Sequence, residues 1–444
     1  MYEASTELLV LIIYSMQIYK VGHMSRIERL RLFIPFTSIL LISSNAHSSP
    51  WIEANDPFLR SSMVALSDGA MLNGVTSTFP LRWSSVAGDG YARDTSDYLD
   101  EEFAHFNYAL QTAKLNRGNR RFAMSGGNKT LDNSWFADVE RDKWAVEASY
   151  EHLASSYAFR LNSSYLEHAN DPELSFKDSY IALNAGRALL DVSMLPRWWG
   201  HGWNHSLILA TSGNDLDAGL SWIGDNLFLG VWSLNIVMSK LEDLDYDYRT
   251  SMRYASKLNS WLELGLTQHY WFGANTNHVA KQQKQSAVDV KLILPKLHNV
   301  QHGLYAEVAS AQKDNSLGAY LIGWSGHKPI FNSSLRVAVE YQSVASDERK
   351  LIASEGIDNY LQSSYLNESS WSLSSYLQLA NDHQVSAIVS TKTLLSDKND
   401  RQDQYQLAYQ LPALQGRIKL SADYISRDTH DSEMVFGSMY EFRF

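Results

Sequence analysis

From about Phe122 to its last residue the chain alternates apolar and polar side chains with a period of two, and this limits its fold more than any other feature. Trp144, Val146, Ala148 and Tyr150 alternate with Ala145, Glu147, Ser149 and Glu151. Leu335, Val337, Val339 and Tyr341 alternate with Arg336, Ala338, Glu340 and Gln342, and Ile418, Leu420, Ala422 and Tyr424 with Arg417, Lys419, Ser421 and Asp423. Successive side chains of a strand leave on opposite faces, so each run is a β-strand with one apolar face. A soluble sandwich hides that face inside and a membrane barrel turns it to lipid, so alternation alone leaves both open.

Three features favour the barrel. The apolar faces are rich in Leu, Tyr and Trp, in a chain with 24 Tyr and 13 Trp, as interfacial girdles require. Arg26, Arg29 and Arg31, an apolar run over 32–42 and the small residues Ser44, Asn45 and Ala46 form the three parts of a secretory signal. Cleavage is expected near Ala46, and Met24 opens a signal of ordinary length, so 1–46 reads as a leader whose true start is Met24. At the other end Phe444, Phe442, Tyr440, Phe436 and Met434 share one face and Arg443 and Glu441 the other. A terminal Phe behind such aromatics resembles the C-terminal signature of bacterial outer-membrane barrels, which implies the barrel-insertion machinery as a partner. Beyond the leader no run approaches the ~18 apolar residues of a spanning helix.

The expected fold is therefore an all-β transmembrane β-barrel over 122–444, with outer-membrane lipid around it. At about 17 to 18 residues per strand and connection it holds about 18 antiparallel strands, an even number. The hydrophilic tracts 243–249, 274–285, 346–350 and 397–403 read as turns and external loops. Residues 47–121 read as a small α-helical module on the periplasmic side. Its first helix has Asp56 as cap, Pro57 in the first turn, Phe58, Leu59, Met63 and Leu66 on one face, and Gly69 as stop. Its second carries Leu99, Phe103, Phe106, Leu110 and Ala113 at steps of four and three, between Thr95 or Ser96 and Gly118. Too small to bury a core alone, the module must dock on something larger.

One stretch departs from both periods. Residues 195–209, LPRWWGHGWNHSLIL, crowd three indoles, an arginine, two histidines and an asparagine around two glycines and a proline. Gly and Pro suit a loop, and three Trp are too much apolar area to leave in water. Two readings follow. In one, Trp198, Trp199 and Trp203 are platforms for the C–H faces of sugars, with Arg197, His201, Asn204 and His205 bonding the hydroxyl rim. In the other, the loop folds into the lumen as a plug and Arg197 pairs with a barrel-wall carboxylate.

Other chemistries find little support. The chain has no Cys, which removes disulfides and thiolate metal sites. A net charge of −11 argues against nucleic acid. No cofactor is expected. His201 and His205 would share a helix face, but Gly200 and Gly202 oppose a helix, so no metal site is assigned. His205 and Ser206 would point to opposite faces of a strand, and no carboxylate pair or phosphate loop is present, so the chain does not read as an enzyme.

At 189–208 the sequence closely resembles the capsule assembly protein Wzi family, outer-membrane lectins of Gram-negative bacteria. The resemblance lies in Arg197-Trp198-Trp199-Gly200-His201-Gly202-Trp203 followed by Ser206-Leu207-Ile208-Leu209, and in the opening element 58–83 with its turn Val75-Thr76-Ser77-Thr78-Phe79-Pro80. It implies an outer-membrane polysaccharide-binding protein that helps attach or assemble capsular or exopolysaccharide at the cell surface. The alternative is a porin or sugar channel, the same barrel with an open lumen. Two departures bear on the glycan. The family commonly has Pro where His201 sits, and often an Asn-Ala-Arg-Pro-like segment where this chain has Thr211-Ser212-Gly213-Asn214-Asp215.

Overall fold

The computed structural model describes residues 49–86, 99–114, 120–131, 135–137, 142–168, 171–211, 213–241, 246–273, 283–311, 316–345, 367–394, 401–428 and 430–444. The leader over 1–46, with Met24 and Ala46, lies outside the described residues, as do Thr95, Ser96, Gly118 and most of the hydrophilic tracts.

Among the described residues, nineteen strand segments close into one antiparallel barrel. Two of them, Pro172–Ser175 and Tyr180–Ala185, pair with successive stretches of the same neighbour, Tyr157–Glu167. They are halves of one interrupted stave, so the barrel has 18 staves. It is closed by its ends: Arg120–Gly127 pairs with the last strand, His430–Arg443, in the register Arg121↔Arg443 to Gly127↔Gly437.

The side-chain period shows which face is which. Along Ser333–Val344, Arg336, Ala338, Glu340 and Gln342 are buried in the bore, whereas Val339 and Tyr341 stand exposed on the outside. Leu266, Ile322, Leu373 and Leu407 do the same on their strands. Charge inside and hydrocarbon outside is the inverse of a soluble sandwich, and it is the pattern lipid demands. One end of the barrel carries tight hairpins of two or three residues, such as Leu227–Leu229 and Phe331–Asn332, together with the C-terminus. By the usual asymmetry of such barrels the short-turn end is periplasmic.

The expected boundaries shift slightly. Tyr248 and Arg249, Gln283 to Gln285, and Arg401 to Asp403 belong to strands rather than loops; Arg249, Gln285 and Gln402 are buried on the bore side, where a polar residue is no signal of a turn. Phe228, whose even spacing from Trp232, Leu234, Ile236 and Met238 suggests the same strand face, sits instead in the preceding turn, since the strand begins at Gly230.

The helical module fills the bore at the short-turn end. Helix α1 spans Pro57–Asp68, with the Asp56 carboxylate accepting from the N–H groups of Phe58 and Leu59 at 2.9 Å each and Gly69 closing it. Helix α2 spans Asp100–Lys114. Met63 and Leu66 of α1 share a core with Leu99 and with Phe106 and Leu110 of α2. An amphipathic helix would leave its polar face in water, yet Arg60, Ser61, Ser62 and Ser67 are buried too. Arg60 donates to the His201 carbonyl at 3.1 Å and Ser62 meets His105 of α2 at 3.0 Å, while the wall supplies partners for the other two: Arg336 donates to Ser61 Oγ at 2.8 Å and to its carbonyl at 3.0 Å. Lys257 Nζ donates to the carbonyls of Ser67 and Leu72 at 2.8 and 3.0 Å, and Lys291 pairs with Asp68 at 2.6 Å. Glu102 of α2 meets His327 at 2.9 Å.

Candidate functional site

The aromatic stretch hangs into the same bore from the opposite end. It leaves the strand Ala188–Ser193, descends as Arg197–Trp199, turns, and climbs back through Leu209–Thr211 to the strand Leu216–Asn226. Its two short strands pair with each other, and Trp198 and Trp199 also pair with Phe79 and Thr78 of the N-terminal segment. The loop and the module thus form one small three-stranded sheet inside the barrel.

All seven candidate residues are buried. Trp199 and Trp203 are each 1% exposed, and no indole face is open to a sugar ring in this arrangement. Trp198 donates its Nε1–H to the Gly202 carbonyl at 2.9 Å and meets Phe136 edge-on at 5.7 Å between centroids. Trp199 stacks near His269, 6.4 Å between centroids. Two guanidinium groups lie over the Trp203 ring, Arg60 at 4.3 Å and Arg336 at 5.2 Å from its centroid, which is favourable for cation–π contact in a dry site. Burial pushes the Arg60 pKa down to about 10, with Glu340 opposing the shift.

The polar members reach the wall. Arg197 bonds Asp217 through Nε and lies 3.4 Å from Asp191, the paired arginine that the plug reading expects. Burial alone would lower the Arg197 pKa; Asp217 and Asp191 outweigh it and hold the pKa above its ordinary value. Asn204 donates to Ser372 Oγ at 3.0 Å, and His201 Nε2 lies 3.3 Å from Asp289. Burial lowers the His205 pKa, opposed by Glu340 and helped by Lys392, and its Nε2 has no hydrogen-bond partner among the described residues. The residues are brought together as a closure: Asp217 and Ser372, both gripped by the loop, stand eight staves apart around the wall.

Two wall carboxylates organise the turn. Glu307 accepts from the backbone N–H groups of His201 (2.7 Å), Gly202 (3.1 Å) and Leu207 (3.1 Å). Glu340 accepts from those of Trp203, Asn204 (2.9 Å) and His205 (3.0 Å), and from the Tyr305 hydroxyl at 2.6 Å. A loop without a ladder must satisfy its N–H groups somewhere, and here six are spent on two carboxyl groups. The glycines make room: Gly200 holds φ +115° and a Cβ there would overlap the Glu307 carboxylate. The departure at His201 gains a reason, since proline would have no N–H for Glu307.

Glu307 and Glu340 escape a reading of the sequence because each is one inward polar residue in an alternating strand, like many others. Asp289 and Arg253 escape it similarly: Arg253 forks onto Asp289 at 2.7 and 3.0 Å and onto Ser77 and Thr78 of the N-terminal turn at 3.0 and 2.9 Å. The one available signal is the loop itself, whose exposed N–H groups call for acceptors.

Fold and site together define a large outer-membrane-type β-barrel whose bore is crossed by its own N-terminal module and one inward-folded loop. Among solved structures it is similar to Wzi, described as an outer membrane protein involved in group 1 capsule assembly in Escherichia coli and a carbohydrate-binding β-barrel, with a TM-score of 0.75 and 15% identity over 90% of this chain and 100% of that one. It therefore shares the fold of that protein. Pseudomonas aeruginosa OccK3 and OccK1 align more loosely, each with a TM-score of 0.46 over 73% of this chain, at 8% and 10% identity. No family model matches the sequence, and no curated protein matches it.

Proposed function

We propose that this chain is an outer-membrane polysaccharide-binding protein that helps attach or assemble capsular or exopolysaccharide at the cell surface. The observation that carries the reading is the bore, crossed by a loop that spends six backbone N–H groups and an arginine on the wall. Such a fastening keeps the loop across the lumen that a porin or sugar channel leaves open, and it suits a surface that presents a fixed face to a polymer. The carbohydrate-binding protein of the same fold supports the same direction. Nothing in the reading calls for catalysis.

Within it, Arg197, Trp198, Trp199, His201, Trp203, Asn204 and His205 carry the glycan-binding role. They act by holding the loop in place beneath the polymer, and a sugar that stacks on the indoles directly requires the loop to leave its seat. Trp199→Ala tests this. The variant is expected to shed polysaccharide into the medium while its heat-modifiable mobility on gels still reports a folded barrel. Unchanged sedimentation of polysaccharide with the cells would remove these residues from the site, and equal attachment in a deletion strain would favour the channel.

A further inference from the structure

The short-turn rim carries large apolar side chains where turns ordinarily carry Asn, Asp or Gly. Phe331 is 98% exposed and Phe228 88%, and Leu227, Trp261, Leu297 and Leu414 also point out. Two of them sit in a conformation that side chains avoid: φ is +52° at Phe331 and +53° at Leu414. Hairpin turns with positive φ select Gly, Asn or Asp because a bulky side chain there is strained. A Phe and a Leu kept at such positions, fully exposed, cost the molecule twice unless something covers them.

We propose that these tips seat in the headgroup–acyl boundary of the lipid leaflet on the short-turn side, so that the rim itself is part of the membrane anchor. This rests on the reading that the apolar exterior faces lipid. The tips continue that exterior: Trp222 and Leu234, paired on the outer face above Phe228, and Val339 above Phe331, lead down to them. Their spacing favours lipid over a protein partner. Leu227–Leu229, Trp261, Leu297 and Phe331 stand on four consecutive hairpins, each roughly 10 Å from the next at the usual strand spacing. Such a comb of isolated tips offers no contiguous packed patch of the kind a protein interface needs, while a fluid interface wets each tip separately.

The absence of cysteine from the chain allows a direct test with single nitroxide labels at Phe228→Cys, Phe331→Cys, Leu266→Cys and Asp225→Cys. The full protein is placed in phosphatidylethanolamine–phosphatidylglycerol vesicles, and power saturation with oxygen and with a water-soluble nickel chelate reads the depth of each label. Labels at 228 and 331 are expected to be shielded from nickel several-fold relative to the charged rim position 225, approaching the mid-belt position 266. Nickel accessibility at 228 and 331 equal to that at 225, with 266 still shielded, overturns the anchor and leaves the barrel reading standing. Accessibility at 266 as well overturns the membrane reading itself. Shielding found in native outer membranes and absent from pure lipid would assign the tips to a protein and overturn the lipid proposal.

Discussion

At the scale of single residues, the closure depends on which groups lack an alternative. Glu340 is 1% exposed and faces three backbone N–H donors and a tyrosine hydroxyl. Glu340→Gln keeps the size, removes the charge, and turns an NH2 toward donors that need an acceptor. Hydrogen bonds to charged groups and the burial of unmatched donors together put the loss at about 3 kcal/mol. The expected outcome is a lower unfolding midpoint in detergent, with the barrel still able to refold. Glu433→Gln is the control, because its pair with Lys129 is solvent-exposed and such pairs contribute little. An equal effect from both substitutions would mean that Glu340 is ordinary wall.

Among the elements, what the sequence displays depends on whether a signal is local. Helix α1 was readable because its cap, first-turn proline and terminal glycine are all neighbours in the chain, and Asp56, Pro57 and Gly69 stand where the pattern puts them. The strands were readable because the period of two is imposed residue by residue. The seats of Arg197, Trp199 and Trp203 were not readable, because their partners Asp217, His269 and Arg60 meet them only through tertiary folding, with no local pattern to announce them. The docking of α1 belongs to this second kind. Lys257 donates to Ser67 Oγ and to the carbonyls of Ser67 and Leu72, supplying a cation at the helix C-terminus where the peptide dipoles favour one. Lys257→Met removes that donor and leaves buried acceptors unmet, a loss of about 2–3 kcal/mol. Faster proteolysis around 69–72, with an unchanged heat-modifiable barrel band, is the expected result. Protection equal to wild type would show that the hydrophobic core around Met63 and Leu66 docks the module unaided.

For the whole molecule, the decisive relation is between a barrel wide enough to enclose polar space and a loop that takes that space away. Eighteen staves are as many as open porins use, so the wall alone does not decide between passage and closure. The decision lies in the bore, where the loop is held at its ends by Arg197 with Asp217 and by pairing with Thr78 and Phe79, and at its middle by Glu307 and Glu340. Replacing both glutamates by glutamine weakens the middle and leaves the ends, the outer face and the strand registers untouched. The turn is then free to leave the wall while the barrel keeps its shape. In planar bilayers the unaltered protein is expected to show no steady conductance, and the double variant to show brief openings on the same baseline. A large steady conductance from the unaltered protein would return the molecule to the channel class. A silent double variant whose unfolding midpoint has fallen would move the seal from the carboxylate clamp to the packing of Trp199 and Trp203, and Trp203→Ala would then be the substitution that opens it.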